Sequence, residues 1–318
     1  MHHYQLADMQ LWQCRADSQI GDYFCHNVQP CDLEHDLEHK PLKPIGYALL
    51  GFASDLGVAH NFGRIGAKLA PNIIRQFLSR LTIPALNPCY DCGNLVVDND
   101  LSLLDAQKIF AQKIALLLKH GITPLVLGGG HETAYGHYLG LMRGCSANIA
   151  ILNFDAHFDL RNLANDEAGN SGTPFRQIYN QCQAQGREFN YYCVGIQPRA
   201  NTQALYDFAA STKTTFIEAA QVINQPQSVL DLVRSIIDRH LHIYITICLD
   251  VFHYSCAPGV SAPQALGISP NIVLECLTLL KQSQQVLGLD IVELNPNLDI
   301  DNHTARLAAN LLAEYYTS

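Results

Sequence analysis

The chain has 318 residues, of which 48% are hydrophobic and 15% charged, and this composition suits a compact globular protein with a sizeable core. A formal charge of −9 argues against nucleic acid or an anionic membrane surface as the main partner. No apolar run is long enough to span a bilayer, and no basic segment followed by an apolar core marks a secretory signal. Eleven cysteines, an odd number outside a secretory context, read as reduced thiols and predict a cytoplasmic protein.

Residues 1–43 read as an irregular arm, a solvated extension or lid. Its acidic, His-rich stretch (Asp32, Glu34, His35, Asp36, Glu38 and His39, closed by Pro41 and Pro44) shows no ligand spacing. From residue 44 to 318 the pattern predicts a single domain. Strands are predicted at Tyr47–Phe52, Pro124–Leu127, Ile149–Phe154, Tyr191–Val194, His242–Leu249 and Val286–Ile291. Helical periodicity fills the gaps. Over Leu104–Lys119 the residues Ala106, Phe110, Ile114 and Leu117 share a face, and over Val229–His240 the inward set is Val229, Leu232, Val233, Ile236 and Ile237. This alternation predicts an α/β fold in three layers, a mostly parallel sheet between helices, with ligands bound at the carboxyl ends of the strands. Cys89 and Cys92 form a lone CxxC without a second pair or zinc-like His spacing, so it carries no metal assignment.

Four polar clusters follow predicted strands. Gly128-Gly129-Gly130 allows a tight turn that would bring His131 towards the strand ends, though alone it also fits a buried, satisfied histidine. Asp155, His157 and Asp159 alternate at period two, so in extended chain they face one side. Clustered carboxylates repel unless a cation joins them, which points to a metal site; the alternative is a strand end whose polar residues cap a turn. In the run from His242, the residues Tyr244, Thr246, Cys248 and Asp250 share one face, and Ile243, Ile245, Ile247 and Leu249 the other. Asp250 ends a buried strand as Asp155 does, whereas Cys248 alone would be a core thiol. Asp290 and Glu293, taken singly, fit solvated strand termini.

Together, Gly-Gly-Gly-His131-Glu132, Asp155-Ala-His157-Phe-Asp159 and the Asp250 segment with its Ala257-Pro-Gly resemble the ureohydrolase family of arginases and agmatinases. The resemblance runs from Asp55-Leu-Gly-Val, Asn61-Phe-Gly-Arg64 and Gly66-Ala67 to Glu293. Within that family, Asp159-Leu-Arg161, Ser171-Gly-Thr-Pro-Phe175, Gly195-Ile-Gln-Pro and Ala257-Pro-Gly-Val-Ser-Ala-Pro263 resemble the members that release formamide from N-formimidoyl-L-glutamate in histidine breakdown.

The resemblance implies two Mn²⁺ ions per subunit, bridged by a hydroxide that attacks the formimidoyl carbon. By position, His131 and Asp159 would ligate one ion, His157 and Asp250 the other, and Asp155 would bridge them. Glu293 would hold the amidine-like nitrogen, and Arg161 a carboxylate of the small-molecule substrate. Asn61, Arg64 and Asn201 are further candidate substrate contacts, with structural roles equally open. Homo-oligomerisation is expected by resemblance alone. One position departs from the family: arginases and agmatinases carry a second bridging aspartate where this chain has Cys248, a softer donor. An agmatinase-like or guanidino-acid hydrolase is the alternative within this chemistry. A catalytically silent binding protein, motivated by Cys248, is the alternative outside it.

Overall fold

The computed structural model describes residues 3–36, 46–84, 89–98, 100–145, 147–163 and 169–318. Among these residues ten strands run in chain order as β1 Tyr4–Gln5, β2 Val28–Pro30, β3 Gly46–Ala53, β4 Cys89–Val96, β5 Ile122–Gly128, β6 Ala150–Phe154, β7 Asn190–Ile196, β8 Thr215–Glu218, β9 Ile243–Cys248 and β10 Val286–Val292. The helices are α1 Leu56–His60, α2 Ala70–Leu78, α3 Leu103–Lys119, α4 Thr133–Gly144, α5 Pro174–Ala184, α6 Gln203–Ser211, α7 Ala219–Asn224, α8 Gln227–Arg239, α9 Pro270–Ser283 and α10 His303–Thr317. No helix of the described residues is long and apolar enough to cross a membrane.

One sheet holds all the strands in the order β1-β4-β3-β5-β10-β9-β6-β7-β8, with β2 also paired to β4. Every pairing is parallel except β1 with β4. The central strands are buried on both faces, which is why they read as near-continuous apolar runs. One core, with Ile243, Ile245, Ile247 and Leu249, lies under α2, α8, α9 and α10; the other, with Phe110, Ile114 and Tyr244, lies under α3, α4, α5 and α6. The chain builds β3 to β5 on one side and β6 to β8 on the other, then returns to insert β9 and β10 between them. That reversal opens a crevice at the carboxyl ends of β5, β10, β9 and β6.

The predicted strands all form. The inward faces of α3 and α8 also match, with Leu232 and Ile237 half-buried at the margin. Strand β4 went unpredicted because Asp91, Gly93 and Asn94 interrupt its apolar pattern. Those polar residues are buried and paired: the Arg75 guanidinium donates to both oxygens of Asp91 at 2.9 and 2.8 Å, to Asn94 Oδ1 at 2.7 Å and to the Gly93 carbonyl at 2.9 Å. The lone CxxC is therefore strand, its thiols buried on either side of a carboxylate.

Residues 3–36 hold only two short strands and two 3-10 turns in otherwise irregular chain, and they pack along the sheet edge. Strands β1 and β2 both line the outer edge of β4, and the Trp12 indole donates from Nε1 to Asp91 Oδ2 at 2.7 Å. Burial of Trp12 and Phe24 against the first core fixes the segment in place. Glu38, His39, Pro41 and Pro44 of the acidic stretch, and the boundary at residues 43–44, lie outside the described residues.

Removing one partner of a fully buried ion pair leaves a bare charge. Asp91→Ala should therefore cost about 3–5 kcal/mol of unfolding free energy, while a joint Arg75→Met, Asp91→Leu replacement should recover much of it, both read from urea denaturation.

Candidate metal centre

Strand β6 ends at Phe154, and the chain then turns instead of continuing extended. Asp155 N–H makes a last ladder bond to Val194 O at 3.0 Å, and Asp155 Oδ1 then accepts from His157 N–H at 2.8 Å. Asp159 follows in the left-handed region at φ 48°, which aspartate tolerates. The period-two reading of this segment is thus corrected: an Asx turn and a left-handed residue bring the three side chains together. Asn201 holds the turn from outside, its Oδ1 accepting from Phe158 N–H at 3.0 Å and its Nδ2 donating to the Ala156 and Gln197 carbonyls at 2.9 Å.

His131 arrives from β5 across the three glycines. A Cβ at Gly129 would collide with the Ser54 carbonyl, so the loop needs glycine there for close approach. His131 Nδ1 lies 2.9 Å from oxygens of both Asp155 and Asp159 but has hydrogen-bond alignment with neither. His157 Nδ1 lies 3.4 Å from Asp155 and 3.2 Å from Asp250, whose other oxygen is buried without a partner. Cys248, buried at the end of β9, has its sulfur within 4.8 Å of ligand atoms of His131 and Asp155. Imidazole nitrogens and carboxylate oxygens therefore converge around Asp155 with donor atoms unspent. This donor set fits a divalent ion such as Mn²⁺.

The electrostatics agree. Burial alone would lower the pKa of His131 and His157, but Asp155 with Asp159, and Asp250 with Asp155, outweigh it and hold both imidazoles well above their ordinary value. Burial and the Asp155 charge push Asp159 up to about 6, while the two imidazoles hold Asp155 low against its own burial. Burial and then Asp155, Asp250 and Glu293 raise the Cys248 thiol far above its usual range.

Glu293 leaves β10 with φ 70°, an unfavourable value for a non-glycine residue. It is held at both ends by the β5 loop: its N–H donates to Gly129 O at 2.8 Å, and Oε1 accepts from His131 N–H at 2.8 Å. Burial, then Glu132 and Asp250, push its carboxyl up to about 8. A cavity of about 220 Å³ opens over the cluster, lined by His131, His157, Asp159, Cys248, Asp250 and Glu293 on one wall. Asn61, Arg161, Ser171, Asn201 and Ser261 lie around the remainder. Asp155 sits beneath, fully buried.

The structure separates the weaker candidates. Arg64 does not line the cavity; its guanidinium donates to the Val260 and Ser261 carbonyls at 2.8–3.0 Å and ties two loops together. Asn201 reaches the cavity, but its amide is engaged by the ligand-bearing turn. Asn61 borders the cavity and donates to Ser171 Oγ at 3.1 Å.

Several supporting residues escaped the sequence reading. His131 Nε2 meets Thr246 Oγ1 at 3.0 Å, fixing which ring nitrogen faces the carboxylates. Asn153 Nδ2 donates to Asp155 Oδ2 at 3.2 Å and to the Tyr191 hydroxyl at 2.9 Å, and that hydroxyl donates to Phe158 O at 2.9 Å. Phe175 packs edge-on to the His131 ring with centroids 5.3 Å apart. Thr246 and Asn153 each sit two residues before a ligand candidate, so face parity was the available signal; Tyr191 and Phe175 had none. Asp290 is fully buried and bonded to His137 Nδ1 at 2.7 Å and to the Tyr244 hydroxyl, not a solvated terminus.

Thr246→Val removes the group that orients His131. It should weaken Mn²⁺ binding by about 10–100-fold in calorimetric titration, with the circular dichroism of the fold unchanged.

The comparisons with known proteins agree with this geometry. The family model described as "Arginase family" matches residues 45–317. A formimidoylglutamase of Legionella pneumophila (strain Lens) is 41% identical over 315 residues, covering 99% of this chain and 97% of the relative. One from Vibrio vulnificus (strain CMCP6) is 41% identical over 325 residues, covering 97% and 95%. Among solved structures, formimidoylglutamase from Bacillus subtilis superposes with TM-score 0.81 at 24% identity, over 95% of this chain and 94% of that one. Trypanosoma cruzi formiminoglutamase, solved with Mn²⁺, gives 0.79 at 23% identity over 90% and 97%. With a family model spanning the β3-to-α10 region and near-full-length relatives at this identity, the chain belongs to the arginase family.

Proposed function

We propose that the protein is a manganese-dependent hydrolase that converts N-formimidoyl-L-glutamate to L-glutamate and formamide, a step of histidine breakdown. The observation that carries this reading is a cavity with unspent metal donors on one wall and Arg161 on another. Among the described residues the Arg161 guanidinium has no carboxylate partner. The cavity's size admits only a small molecule.

In this reading His131 and Asp159 would hold one Mn²⁺, and His157 and Asp250 would hold a second, with Asp155 available to either. Bound ions of this kind lower the pKa of water so that hydroxide is available near neutral pH. Glu293, anchored by the His131 amide, presents its carboxyl to the amidine-like nitrogen of the substrate. The Arg161 fork pairs with a substrate carboxylate, and Gly172 makes room for it, since a Cβ there would meet Arg161 Cδ at 2.8 Å. Asn61 and Ser171 border the same end. A homo-oligomer in the cytoplasm belongs to this proposal by likeness to the family.

The decisive assay measures formamide release from formimidoylglutamate, with agmatine and arginine in parallel, before and after chelation. Release should require Mn²⁺ and be restored by adding it back. Arg161→Ala should lower kcat/KM for formimidoylglutamate by about 10–100-fold while leaving a cationic substrate within about threefold. Comparable loss on both substrates would overturn the carboxylate role.

Cys248 supplies a second test. A carboxylate suits Mn²⁺ better than a buried thiol that resists deprotonation. Cys248→Asp should therefore tighten binding of the weaker ion by at least about tenfold, read by metal titration. Unchanged affinity would show that the thiol is no handicap.

A further inference from the structure

A second cluster lies in the N-terminal segment, outside the metal centre. Cys14, Cys25 and His26, all half-buried, place their sulfur and ring-nitrogen atoms within 4.8 Å of one another. Such a trio fits either a soft metal ion or a pair of thiols with a polar neighbour.

The His26 ring decides between them. Its Nδ1 accepts from the N–H groups of Gly21 at 3.1 Å and Tyr23 at 3.4 Å, so Nδ1 carries a lone pair and the proton of the neutral ring sits on Nε2. Nε2 lies 3.2 Å from Cys14 Sγ. A nitrogen bearing a proton cannot ligate a metal, but its N–H can donate a hydrogen bond to the Cys14 sulfur. Burial, then contact with the Cys14 sulfur, raises the Cys25 thiol well above the ordinary value. The backbone on both sides is held independently of the thiols: Ser79 Oγ donates to Gln13 O at 3.0 Å, and Ser79 O accepts from Cys25 N–H at 3.2 Å.

We infer that Cys14 is a nucleophilic thiol, with Cys25 as its resolving partner, that exchanges with small-molecule disulfides of the glutathione class. Cys14 loses its proton to solvent and its sulfur attacks one sulfur of the disulfide. The S–S bond breaks, a mixed disulfide forms on Cys14, and one thiolate leaves to take a proton from solvent. Cys25 then loses its proton and attacks Cys14 Sγ, expelling the second thiol. The protein gains a Cys14–Cys25 disulfide and gives up two hydrogens; the small disulfide is reduced to two thiols.

The remaining cysteines set the internal comparison. Cys145 and Cys256 are also half-buried, whereas Cys31, Cys89, Cys92, Cys182, Cys193, Cys248 and Cys276 are buried.

The test incubates the full-length protein with oxidised glutathione, blocks free thiols and maps peptides by mass spectrometry, with formamide release followed as a control. We expect a Cys14–Cys25 cross-link to form at least about tenfold faster than Cys145 or Cys256 is modified. Cys25→Ser should trap glutathione on Cys14, Cys14→Ser should leave Cys25 unmodified, and His26→Ala should slow trapping by about threefold or more. Cys14 reacting no faster than Cys145 in the wild-type chain would overturn the inference, and this comparison stands even if His26→Ala disturbs the loop. Modification of Cys25 in Cys14→Ser would overturn the order of attack. One equivalent of Zn²⁺ bound by wild type and lost in Cys14→Ser would overturn thiol exchange in favour of a metal site.

Discussion

Carboxylates of Asp155, Asp159 and Asp250 are crowded with two imidazoles in a layer largely closed to water. Like charges at such separations are expensive in a medium that screens poorly, and the protein contains that expense with fixed geometry. Three side chains of the cluster are held in place. Asp155 is pinned by its own turn and by Asn153, His131 by Thr246 and Phe175, and Glu293 by two bonds to the β5 loop. Folding builds the repulsion and a divalent ion relieves it, so affinity for the ion comes in large part from the scaffold holding its ligands together. The parallel sheet makes this possible, because four adjacent strands deliver their ends to one crevice.

Much of this was legible before any coordinates. Strands buried on both faces announce themselves as apolar runs, and residues at their ends fall in the crevice by topology, so His131, Asp155, His157, Asp250 and Glu293 could be singled out. Two kinds of feature were not legible. Asp91 hides a strand because its polarity is cancelled by Arg75, a residue sixteen positions earlier whose pairing has no local signature. The convergence of Asp155, His157 and Asp159 was inferred for the wrong reason: alternation requires a ladder, and the ladder stops at Asp155. What replaces it is the self-bonding of an aspartate, a preference of residue type instead of period. Residues acting through a neighbour, such as Tyr191 and Phe175, gave no signal because their partners lie on other elements.

Cys248 shows how little of the surrounding design depends on one donor. Its side chain lies beside His131 and Asp155, with the turn, the glycine loop and the Glu293 anchor built around it. A thiol in that setting has three carboxylates bearing on it, which keeps it neutral and spares the cluster a further negative charge.

At its margins the sheet has a different concern. Strand β4 would present a long open edge, but β1 and β2 cover it with two- and three-residue pieces, the second ending in Pro30, which has no N–H to offer. The opposite margin, β8, is four residues long. A neighbouring molecule seeking to extend the sheet would find few backbone groups in a row, so the segment ahead of β3 shields the protein against strand-by-strand polymerisation.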